Sequence, residues 1–205
     1  PHSCPGRGSP ARQRGVTVTR VPDPTHARRN LSLLHAYWFL REFQLWIPVW
    51  IVFLTIERGF SLTQVTAAEG AYLVGVLILE VPTGAVADRY GRSKSMALGA
   101  AVLGVAVLIF AFTQSFAVLL ASFLLWSVAS ALMSGADMAL LFDTLKAAGR
   151  EAQYERLAGR GMAFSWSGVG IATFLGGPVA ALLDTRATVF IGAATCLATA
   201  AVAFA

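Results

Sequence analysis

The stretch Gly84-Ala85-Val86-Ala87-Asp88-Arg89-Tyr90-Gly91-Arg92-Ser93-Lys94 is a polar island between two long apolar runs. The run before it, residues 66–86, carries acids at Glu69 and Glu80 and no base. The run after it, residues 96–112, carries no charge at all. At about 1.5 Å per helical residue, each run is long enough to cross a bilayer. The segment between them is too short to fold alone, so it reads as a tight, charged hairpin joining two membrane helices.

The rest of the chain reads the same way. Of its 205 residues 56% are hydrophobic and 13% charged, about half the charge of a soluble domain. The mean hydropathy is +0.64. The pattern predicts an all-α polytopic membrane protein with spans at about 31–56, 64–87, 95–112, 116–142, 161–183 and 187–205. Residues 1–30, rich in Pro, Gly, Arg and Ser, are expected to be a disordered basic tail without the pattern of a signal peptide. The first span contains Pro48 and ends at Glu57-Arg58-Gly59. Ser61 and Gln64 form a capping box that starts the second. Thr113-Gln114-Ser115 is a short turn, residues 150–158 suit a short amphipathic surface helix, and Asp184-Thr185-Arg186 turns the chain into the last span. Pro1 is the first residue and residues 200–205 lie inside an apolar run, so further residues are expected after 205.

The bases divide unevenly among alternate loops. The tail, the 88–94 turn and the 143–160 linker carry thirteen Lys and Arg, against Arg58 and Arg186 on the other side. By the positive-inside rule the amino terminus and the 88–94 turn face the cytoplasm. The net charge of +5 is thus a topology signal and not a nucleic-acid footprint. Cys4 and Cys196 imply no disulfide framework, and the three histidines have no metal spacing. No Walker-type phosphate loop and no nucleophile–base pattern is present, so neither a cofactor nor enzymatic activity is expected.

A charge at mid-bilayer costs about 2.5–3.5 kcal/mol on insertion scales, so charges inside spans need a reason. They include Arg41, Glu42, Glu80 and Asp137. Arg41 and Glu42, side by side, point about 100° apart on a helix and are not expected to pair with each other. Counting from the span ends puts them at a depth similar to Asp137. The expectation is that Arg41 or Glu42 and Asp137 face a central cavity and bind substrate, a proton or each other. Glu80 is expected to be a protonatable carboxyl or the partner of a loop base. Pairs of small residues, Ala71 with Gly75, Ala100 with Gly104 and Ala172 with Gly176, read as helix-packing sites.

Gly84, Asp88, Arg89, Gly91 and Arg92, with Lys94 behind them, resemble the signature loop between the second and third helices of the major facilitator superfamily of transporters. The resemblance covers residues 31–205, the amino-terminal half of such a protein. It implies a six-helix bundle that works with a carboxy-terminal half of the same chain, as a secondary transporter of a small solute by alternating access. The membrane implied is the plasma or inner membrane, and the partners a small-molecule substrate, the lipid bilayer and a proton or other coupling ion. It also implies that Asp88 and Arg92 form a conformational latch, with Gly84 and Gly91 allowing close approach and a tight turn. Gly176, Gly177 and Pro178 resemble the helix-break motif of the superfamily's antiporters, which points to efflux, although Ala181 and Leu182 stand where a Gly pair is expected. The alternatives are an uptake symporter or uniporter of the same superfamily, or a non-transporting scaffold, sensor or intramembrane enzyme.

Overall fold

The computed structural model describes residues 24–205. The greater part of the expected tail, residues 1–23, lies outside the described residues, whereas the chain is already helical from Pro24. The helices are α1 (Pro24–Glu42), α2 (Trp50–Val52), α3 (Leu62–Tyr90), α4 (Arg92–Ala111), α5 (Phe116–Met133), α6 (Ala136–Ala147), α7 (Tyr154–Leu182) and α8 (Thr185–Phe204), with a π-helical turn at Phe53–Glu57. No strand occurs among the described residues. Five helical stretches are long and apolar enough to cross a bilayer, with α5 and α6 counted as one.

Local chemistry sets the ends. Ser61 caps α3: its Oγ accepts from the Gln64 N–H at 3.2 Å, and the Gln64 side chain accepts from the Ser61 N–H at 3.0 Å. Ser115 caps α5 in the same way, accepting from the Val118 N–H. The hairpin between α3 and α4 is a single residue, Gly91, at φ 101°. A side chain is strained at such a dihedral, so glycine makes the turn that short. Residues 150–158 do not form a separate surface helix: a short 3₁₀ turn at Glu151–Gln153 leads straight into α7.

Two expected spans are interrupted. The first is not continuous over 31–56. Helix α1 stops at Glu42, residues 43–49 run through turns, and helical structure resumes at Trp50. Pro48 has no N–H to give the carbonyl of Gln44 and crowds it, and the residue before a proline avoids helical dihedrals. The fourth, expected over 116–142, is split between α5 and α6 by Gly135 at φ 70°. The fifth is the reverse case. Gly176, Gly177 and Pro178 do not break α7, which continues to Leu182. Pro178 costs one backbone bond, and the turns on either side hold.

Helix α1 packs along α7 and α8, α4 along α5 and α8, and α3 along α5. The small residues lie at these seams. A Cβ on Gly75 would strike Ser127, and one on Gly104 would come within 3.3 Å of Cys196 Cβ. Glycines 161, 168 and 176 form a row on α7 whose absent side chains admit Trp38, the Phe39 carbonyl, and Leu45 with Pro48. Gly84 behaves otherwise: nothing lies within 4 Å of where its Cβ would stand, so it mediates no close approach among the described residues. The aromatic centre holds Trp46 between Phe110 at 5.3 Å and Trp126 at 5.2 Å.

Candidate functional site

The two interruptions face each other. The last turn of α1 carries Arg41, and the first turn of α6 carries Asp137. A cation at a helix C-terminus and an anion at an N-terminus each meet the favourable end of the helix dipole. Asp137 is 6% exposed. Its Oδ2 accepts from the Trp38 indole N–H at 2.8 Å and from Arg41 Nη1 at 3.3 Å, and its Oδ1 accepts from the Met138 N–H at 2.8 Å. This is a fully hydrogen-bonded buried carboxylate.

Arg41 serves two acids, because its Nε also lies 3.3 Å from Glu42 Oε1. The expectation that neighbours on a helix would not pair fails here. Glu42 is the last residue of α1, and the chain leaves the helical path just beyond it. Gln44 fills the break: its Nε2 donates to the Arg41 carbonyl at 3.3 Å, and its Oε1 accepts from the Trp46 indole at 3.0 Å. Non-helical backbone at membrane depth needs such partners or a wet cavity.

Arg41 and Glu42 stand between two cavities. One, of about 290 Å³, is lined by Trp38, Asp137, Met138, Met162, Ser165 and Trp166 besides the ion pair. The other, of about 140 Å³, lies towards Gln44, Trp46, Tyr72 and Trp126. Glu80 is not part of this group. It is exposed on α3 and accepts from Ser134 Oγ at 3.0 Å, and no base pairs with it among the described residues. Its polar neighbour is therefore the residue just before the α5–α6 break.

A second charged group sits at the α3–α4 turn. Arg92 Nη1 lies 2.7 Å from Asp143 Oδ2, and Nη2 lies 3.8 Å from Asp88 Oδ1. The tight partner is Asp143, at the far end of α6. Asp88 is largely exposed and Arg89 projects outward beside Tyr90.

The sequence model of the Major Facilitator Superfamily matches residues 38–205. This chain belongs to the Major Facilitator Superfamily. It is also similar to the uncharacterized MFS-type transporter YxaM of Bacillus subtilis strain 168, with 29% identity over 107 residues. That alignment covers 51% of this chain and 27% of the relative. Membership of the superfamily points to a multi-pass membrane protein of transporter type rather than an enzyme.

Within this chain, the expected residues separate into two sites. Arg41, Glu42 and Asp137 come together; Asp88, Gly91 and Arg92 come together elsewhere; Glu80 and Gly84 join neither. Sequence reasoning missed Trp38, Gln44 and Asp143 as partners. Asp143 carried a signal, as an acid six residues after Asp137 near the helix end. Trp38 carried its signal in the spacing, lying one turn before Arg41.

Proposed function

We propose that this chain is part of a secondary active transporter that moves a small solute across the cell membrane by alternating access, by efflux in exchange for protons. The observation that carries the reading is the meeting of two interrupted helices at Arg41 and Asp137 beside a cavity. Discontinuous helices at membrane depth are where transporters bind solutes and ions. A scaffold has no use for them, since a continuous apolar helix packs more cheaply. Two carboxylates share one guanidinium, so a proton or solute that neutralises one of them changes which acid Arg41 holds. Proton exchange rests on that arrangement, and efflux on the resemblance of the fifth span to antiporters.

The two least buried spans, α3 and α7, border the two cavities through Tyr72 and through Met162, Ser165 and Trp166. Their outward residues include Leu77, Val81, Trp166 and Phe174. In this reading a carboxy-terminal half of the same chain covers these faces and completes the solute site. The Asp88–Arg92–Asp143 group then acts as a latch at the cytoplasmic end, closed in one state and parted in the other.

The test needs no knowledge of the solute. Ser165→Cys is placed in the full-length protein with Cys4 and Cys196 replaced by Ala, and labelled with a membrane-impermeant maleimide. Right-side-out and inverted vesicles are compared, with and without an imposed pH gradient. Labelling from both faces, in proportions that the gradient shifts, is the expected result. Labelling from one face only, indifferent to the gradient, would refute proton-linked alternating access.

A further inference from the structure

The cavity at the helix breaks contains one base and two acids, so with both carboxylates ionised it holds one negative charge in excess. No other group among the described residues cancels it. Tyr37 and Tyr72 are phenols, Cys196 reaches the site only through Gln44, His35 packs one turn away against Phe164, and Arg160 on α7 is exposed. The excess sits unequally. Asp137 is held by three donors, whereas Glu42 has Arg41 as its single hydrogen-bonding or ionic partner among the described residues. Glu42 is partly buried, with its side chain 31% exposed, and an unbalanced, partly desolvated charge favours a counter-charge beside it.

The walls say what kind. Trp166 offers an exposed aromatic ring and Trp38 lines the wall beside Asp137, while Met138 and Met162 offer polarizable, adaptable surface. An anionic solute would find Arg41 already engaged and would raise the excess to two. Building on the transporter reading above, we infer that the solute is a monovalent organic cation with an apolar or aromatic body, held at Glu42 and displaced from it by a proton. Glu42 is the exchanging carboxylate, and Asp137 positions Arg41.

The probe is tetraphenylphosphonium, with tetraphenylborate as a body of the same shape and opposite charge. Both are titrated into the full-length protein in detergent, following tryptophan emission. The phosphonium should bind at least about tenfold tighter than the borate, and its affinity should fall as pH falls. Glu42→Gln should weaken the phosphonium by about tenfold and abolish that pH dependence. Trp166→Ala, at a residue 69% exposed and so safe for folding, should weaken the phosphonium and spare the borate. Equal or tighter binding of the borate, or an unchanged phosphonium affinity in both variants, overturns the inference. Two-sided labelling at Ser165→Cys without phosphonium binding removes the cation class and leaves the transporter. Phosphonium binding with one-sided labelling removes the exchange cycle and leaves the cation site.

Discussion

Asp137 shows how a charge is kept inside an apolar bundle. It stands in the first turn of α6, accepts three hydrogen bonds and is 6% exposed. All three contacts are donors to the carboxylate, and Arg41 is the one that carries opposite charge. Arg41→Gln leaves that carboxylate without its counter-ion. Because Arg41 is itself partly exposed, the loss of stability should be about 2 kcal/mol, below the range for a fully buried pair; equilibrium unfolding in detergent measures it. Gly135 supports the same site from behind. At φ 70° a Cβ is strained, so Gly135→Ala should cost about 1 kcal/mol in the same assay. A wild-type midpoint for Gly135→Ala would mean that the α5–α6 break has another cause.

At the scale of helices, the α1–α7 seam is built on absence. The row of glycines at 161, 168 and 176 lets the ring of Trp38 and the backbone of the α1 break lie directly on α7. In lipid, where apolar surface alone does not drive helices together, this close contact is what holds them. Gly168→Leu should push α1 away, destabilise the protein by about 1–3 kcal/mol and break the Arg41–Asp137 contact; a loss of thermal stability with weakened phosphonium binding is the expected pair of results. The other helix-scale link is Arg92 with Asp143, which ties the start of α4 to the end of α6. Asp143 is more than half exposed, so a double-mutant cycle of Arg92→Gln and Asp143→Asn should give a static coupling of at most about 1 kcal/mol. Its effect on the gradient-driven shift of Ser165→Cys labelling should be much larger if the pair is a latch.

For the molecule as a whole, the thirteen-to-two division of bases among the loops predicts the orientation. Lys94→Cys should resist an impermeant maleimide in intact cells and react in inverted vesicles, and Glu57→Cys should do the opposite. Much of this architecture was legible in the residues. Apolar runs of bilayer length, the Ser61–Gln64 cap and the Gly91 turn are local features, set by neighbours a few positions away. The lone charges in the spans marked the site for the same reason, since their insertion cost does not depend on the partner. The breaks were less legible. Pro48 and the Ser134-Gly135 pair were visible, but apolar residues lie on both sides of each and the expected spans ran straight through, while Gly176-Gly177-Pro178 looked like a break and is not one. What the sequence determined by itself was the helical membrane fold, its turns and the handful of residues that needed an explanation. Which of them meet was decided only by tertiary packing. The rotation of each helix about its axis depends on small-residue contacts between segments far apart in the chain, and an apolar helix in lipid carries no amphipathic stripe to announce which side faces in.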